Sequence, residues 1–201
     1  MSHLAAEGEW DEVVPLDIQH LSKWLLFESV AVGVGGAAFY RKAFIDLDPV
    51  ALQPAVLTTI FERMRALSAY TDKGFMKKRW DQATDQVSSG QALMQVQGTW
   101  VNGEFTAKRL EPGRDYHCWR FPDTQGVYLF NSDQFVFFKL PTSQQAAQRA
   151  FAATVMLPAL QSAVNVRTGA APARVDVSWD AFNSCGKRNI TDSAAPTCGA
   201  Q

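Results

Sequence analysis

The sequence has 201 residues, enough for one domain or one domain with part of a second. With 47% apolar and 19% charged residues the chain can bury a core, which excludes a disordered or coiled-coil protein. A net charge of -1, from 19 Lys and Arg against 20 Asp and Glu, lacks the basic field that a nucleic-acid partner requires.

Taken in chain order, residues 1–11 are acidic and carry no apolar signal-peptide core, and no window reaches the roughly 18 apolar residues of a membrane span. Read alone, the chain is expected in the cytosol. Trp24, Leu25, Phe27, Val30, Phe39 and Phe44 suit two short helices broken at Gly33-Val34-Gly35-Gly36. A second helix starts at Asp48-Pro49 or Gln53-Pro54 and runs to Tyr70, with Val56, Ile60, Met64 and Leu67 on one face and Arg63 and Arg65 toward water. Arg79 to Ser88 reads as a helix ended by Gly90, and Ala92 to Gln97 as a short strand. Thr99 is placed to cap a helix through Arg109. Tyr116–Phe121, Gly126–Phe130 and Gln134–Leu140 are aromatic and β-branched and read as strands. Ser143 to Ala153 and Val155 to Val164 read as helices separated at Pro158, followed by a loop at Thr168-Gly169-Ala170-Ala171-Pro172. Asp176 to Phe182 is expected to make one or two helical turns, and no apolar period is visible after Thr191.

Three motifs invite chemistry and fail on geometry. Gly33-Val34-Gly35-Gly36-Ala37-Ala38 matches the G-x-G-x-x-A dinucleotide fingerprint. The acidic residues at Asp46 and Asp48 leave too little chain for the crossover helix, so a Gly-rich turn between helices is expected instead. His117 and Cys118 are adjacent and would point to opposite faces of a strand, and Cys118, Cys185 and Cys198 lack C-x-x-C spacing, so no metal site and no cofactor are expected. No Ser lies in G-x-S-x-G, and an enzyme is not expected.

Several segments in fixed order carry a resemblance. They are Phe27-Glu28-Ser29-Val30, Gly35-Gly36 with Phe39-Tyr40, Arg79-Trp80-Asp81-Gln82-Ala83-Thr84, and Gln97-Gly98-Thr99-Trp100-Val101-Asn102-Gly103-Glu104-Phe105. Pro112 to Cys118, Asn131 to Phe135 and Gly169 to Val177 extend the series toward Cys185-Gly186. Together they resemble the sugar-binding proteins of ABC importers, in the glucose- and mannose-type branch of the family 1 extracellular solute-binding proteins. The resemblance covers residues 14–192 and implies the C-terminal lobe of a helix-rich α/β, type II periplasmic-binding-protein fold, with 1–13 and 193–201 non-matching.

The resemblance implies that Trp80 and Trp100 stack on a monosaccharide such as glucose or mannose, that Asp133 bonds its hydroxyls, and that Thr168 stands where the family carries a lysine. Apolar sugar faces and hydroxyl rims suit such a set of aromatic and carboxylate side chains; read alone, each Trp is more often a core filler and Asp133 a turn residue, and the family pattern tips the reading to a site. It further implies a periplasmic location, an ABC permease as partner, and a Cys118–Cys185 disulfide on export. Thr99 replaces the family's aspartate, and the Gly-rich stretch around His20 to Trp24 is blurred, so either the ligand differs or binding has lapsed. Family members are about twice this length, so a truncated lobe with weak sugar binding is expected. The alternative is an orphan lobe that self-associates without binding sugar.

Overall fold

The apolar run after Lys23 folds back on itself as a helical hairpin. The computed structural model describes residues 16–17, 23–71, 74 and 77–194. Helix α1 (Lys23–Tyr40) is broken at Gly36, whose backbone (φ 76°, ψ 172°) leaves helical geometry, and the chain continues through a π-helical turn at Arg41–Ile45. A side chain at Gly36 would disfavour that left-handed-side φ. Gly33 is required for a different reason, because a Cβ there would sit 2.9 Å from the carbonyl oxygen of Pro122. The G-x-G-x-x-A run thus breaks a helix and admits a close neighbour, as the crossover length implied.

Asp48 accepts a hydrogen bond from the Val50 N–H (2.9 Å) and caps a short 3-10 turn at Pro49–Ala51. Pro54 then opens α2 (Pro54–Ser68) at a position where its missing N–H costs nothing. Ile60 of α2 is fully buried against Leu26, Val30, Ala31 and Val32 of α1, with Val56, Met64 and Leu67 around it. Truncating Ile60 to Ala would cost about 2–5 kcal/mol by the lost transfer energy and the cavity left behind. Phe44 turns back to meet Phe27 edge-on at 5.5 Å, closing this core.

The remaining elements are α3 (Trp80–Ser88), α4 (Val101–Ala107), α5 (Thr142–Val155), α6 (Pro158–Thr168) and α7 (Ser184–Ala194). Two short strands, β1 (Leu16–Asp17) and β2 (Met94–Gln95), pair in parallel, Leu16 opposite Met94. Gly90 ends α3 with φ 76°, and Pro158 sits at the start of α6 as its sequence suggests. A second, smaller core joins Val177, Phe182 and Ile190 with Val166 and Ala171.

Three expectations are corrected, and one helix is additional to them. Residues 116–121, 126–130 and 134–140 are not strands. Their composition suits a pleated surface, but β structure requires a backbone partner, and the described residues supply only an isolated bridge between Pro112 and Tyr116. Thr99 does not cap α4 with its hydroxyl, which accepts from Asn189 Nδ2 at 3.1 Å, and the helix ends at Ala107. Residues 176–182 form turns without a helix. Helix α7 was unforeseen: Asn183 accepts from the Gly186 N–H at 2.9 Å, an N-cap that an apolar-period reading misses. Residues 1–13, His20 and Cys198 lie outside the described residues.

Burial holds the Tyr40, Tyr116 and Tyr128 phenols above their ordinary pKa, and a hydrogen bond to the Glu28 carboxylate adds to this at Tyr40. A raised folded pKa contributes stability that is complete below the unfolded value and is lost as pH rises toward the folded one. Unfolding midpoints should therefore fall as pH climbs beyond about 10, the ordinary phenol value. Urea titrations between pH 8 and pH 11 check this, with Tyr40→Phe expected to flatten the decline.

Candidate functional site

Trp80 opens α3, and the local sequence explains why the helix starts there. The Arg79 backbone N–H donates to Gln82 Oε1 at 2.9 Å, so the side chain of the third helical residue satisfies a donor just outside the helix. The Arg79 guanidinium holds Asp81 through two bonds of 3.0 and 2.6 Å, and this lowers the Asp81 pKa at an exposed site. The buried Thr84 hydroxyl donates to the Trp80 carbonyl at 2.9 Å, and Gln95 Nε2 of β2 approaches the same oxygen at 3.4 Å. The Trp80 side chain itself is half-buried.

Trp100 occupies the N-cap of α4 and is also half-buried. Its indole lies over Gly98, where an added Cβ would come within 2.1 Å of the ring. Helix α4 packs on both α3 and α6. Against α6 the approach is backbone to backbone: a Cβ at Gly103 would stand 2.7 Å from the Arg167 carbonyl oxygen and 3.0 Å from that of Thr168. Gly169, with φ 75°, ends α6 and lies just as close to the Thr99 carbonyl oxygen. Trp80, Trp100 and Thr168 therefore stand on elements that pack in series, with α4 in the middle.

Asp133 is not brought into that series by any contact. It lies in the exposed segment 131–140, and no hydrogen bond or ion pair to another described residue holds its carboxylate.

Behind α4 stands a polar network that sequence reasoning did not anticipate. Asn102 and Asn183 exchange amide hydrogen bonds of 3.2 and 3.3 Å, and the Tyr116 hydroxyl also donates to Asn102 Oδ1. Asn189 donates to the Thr99 hydroxyl, and its Oδ1 accepts from the Tyr128 hydroxyl at 2.7 Å. Asn102 and Asn189 are each 5% exposed, so these amides have no water to replace a lost partner. The Phe105 and Tyr116 rings stack at 4.3 Å beside them. Cys118 and Cys185 are joined by a disulfide with Cα atoms 5.8 Å apart, tethering the start of α7 to the loop after Tyr116. Arg120 binds Asp192 and Arg188 donates to the Cys118 carbonyl, so α7 is held at both ends.

Among the described residues no group of three or more His, Cys, Asp and Glu side chains is placed to hold a metal ion. No helix among them is long and apolar enough to cross a membrane.

No family model matches the chain. It is 41% identical over 182 residues to a probable sugar-binding periplasmic protein of Mesorhizobium japonicum, covering 90% of this chain and 44% of that protein. A protein of the same description from Brucella suis is 44% identical over 167 residues, covering 83% of this chain and 39% of its own length. The chain is homologous to part of an ABC solute-binding protein. The same relationship reaches an archaeon, where an uncharacterized ABC transporter extracellular-binding protein of Pyrococcus horikoshii is 31% identical over 185 residues, 90% of this chain and 40% of that protein. The chain spans about two fifths of the length of these curated relatives. The solute-binding proteins it matches carry descriptions of binding rather than of catalysis.

Proposed function

We propose that this chain contributes the sugar-stacking part of a periplasmic solute-binding protein that delivers a monosaccharide to an ABC permease. The observation that carries this reading is the serial packing of α3, α4 and α6, which sets Trp80, Trp100 and Thr168 on one continuous framework. The sugar-binding description of its relatives supports the ligand class, and a disulfide suits an oxidising compartment such as the periplasm. In this reading the chain forms one lobe of a two-lobed type II binding protein. The two indoles take the apolar faces of glucose or mannose, Thr168 donates at the rim, and Asp133 reaches the hydroxyls when the 131–140 segment lies against the ligand.

Tested alone, the chain offers contacts from about two fifths of such a protein, and its affinity for glucose or mannose is expected to be no better than about 1 mM, near -4 kcal/mol. Titration calorimetry and Trp fluorescence with glucose, mannose and galactose measure it. Trp80→Ala and Trp100→Ala should each abolish measurable binding, whereas Thr168→Lys should tighten it about tenfold or more, since a bond from a charged donor contributes about 1.5–3 kcal/mol. Binding that survives loss of both indoles would refute the stacking role.

A further inference from the structure

Residues 131–140 run without a turn or bend up to Pro141, which precedes α5. None of their backbone N–H groups finds an acceptor among the described residues. Phe135 and Phe137 both pack on Phe151 of α5, with ring centroids at 5.2 and 6.1 Å, so alternate side chains share a face as they do in a strand. Val136 and Phe138 alternate with them and are 76% and 79% exposed.

The two edges of this segment differ. The carbonyls of Phe138 and Leu140 accept hydrogen bonds from Gln148 (2.9 Å) and Gln145 (3.0 Å), which reach round from α5. In an extended chain the N–H and C=O of alternate residues point to opposite edges, so the even-numbered edge is the one α5 occupies. Among the described residues nothing pairs with the odd-numbered edge, which carries residues 133, 135, 137 and 139. An open, apolar edge is a template for another strand.

We infer that this edge pairs antiparallel with the same edge of a second copy, about a two-fold axis through Val136. Charge selects the register. With Val136 opposite itself, Asp133 faces Lys139 of the second copy and Lys139 faces its Asp133, while Phe135 faces Phe137. All of these odd-numbered pairs are then the hydrogen-bonded pairs of the antiparallel ladder, which is what the open edge supplies. Opposite charges and aromatic pairs across strands are each favourable, and the arrangement is isologous, so it closes at a dimer. This inference goes beyond the sugar reading and competes with it for Asp133 alone, and because its readout is mass its failure leaves the test of the two indoles untouched.

The test uses the full chain in sedimentation equilibrium across a dilution series, with far-UV circular dichroism to check folding. The wild-type chain should form a dimer that dissociates on dilution. D133K and K139D each place like charges opposite one another twice and should weaken the dimer about tenfold. Mixed together, these two variants regain both opposite-charge pairs and should associate with nearly wild-type affinity, as should D133K/K139D alone. A second measurement needs no charge change. In a C198S background, V136C should form an interchain disulfide, because non-hydrogen-bonded residues face each other at about 4.5 Å between Cα atoms, whereas Q134C should not link to itself. A monomer at all concentrations, single variants that dimerise like the wild type, or a mixture that stays apart would overturn the inference.

Discussion

Opening the Cys118–Cys185 bridge is expected to cost about 4 kcal/mol of folding stability. The cysteines are 67 positions apart, and a cross-link closing a loop of that length removes that much conformational freedom from the unfolded chain in the entropy model. For a chain of this size the loss corresponds to a fall in melting temperature of about 8–16 °C. Thermal melts with and without a thiol reductant measure it, in a C198S background so that the remaining thiol cannot exchange. The Cys118→Ala/Cys185→Ala variant should reproduce the reduced protein. A loss under about 1 kcal/mol would mean that the Arg120–Asp192 pair and the Tyr128–Asn189 bond already hold α7 in place.

Substituting alanine for Gly169 should be nearly as damaging, through two separate causes. A left-handed backbone costs an ordinary residue about 1–2 kcal/mol, and Gly169 has φ 75°. The added Cβ would also lie 2.7 Å from both the Thr99 carbonyl oxygen and Asn102 Cβ. Overpacking of that kind adds about 1–3 kcal/mol. Gly90 separates the causes, since its φ is 76° and a Cβ there would meet nothing within 4 Å. Gly90→Ala should thus show only the backbone cost, and the difference between the two variants in urea unfolding reports the contact between α4 and α6. Equal losses would show that α6 yields to the methyl group. Under the proposed sugar reading, this contact seats Thr168 beside the helix that carries Trp100, so Gly169→Ala should also weaken sugar binding, whereas Gly90→Ala should not.

Sequence reasoning served best where one physical signal acted alone. The face formed by Val56, Ile60, Met64 and Leu67 announces α2 because burial on one side of a helix imposes that spacing. Pro158 and the Gly-rich run mark breaks for reasons internal to those residues. Residues 116–140 misled because strand composition describes a surface awaiting partners, and no sequence-local feature says whether the partners are present. Helix α7 escaped because its buried face is Gly186, Asn189 and Ile190, of which only the last is an apolar marker, so packing there is carried by a close approach and an amide. The Asn102, Asn183 and Asn189 network joins residues more than 80 positions apart and has no local signature. The cysteine pairing and the candidate residues Trp80, Trp100 and Thr168 came from resemblance to a family. Asp133 came from the same source, yet its segment stands apart from the helices that carry the others.

The break at Gly36 is clasped. The Tyr40 hydroxyl donates to Glu28 Oε1 at 2.7 Å, linking residues 12 apart across the kink, and Tyr40 is 5% exposed. Straightening the helix would strip a buried hydroxyl of its acceptor while lifting Phe44 away from Phe27. The two halves of α1 therefore cannot open one at a time without losing both ties. Their amide protons should exchange with solvent at a shared rate, together with those around Ile60, as one cooperative unit. A single turn of misplaced geometry thus acts as a latch that makes the helical hairpin an all-or-none element of the fold.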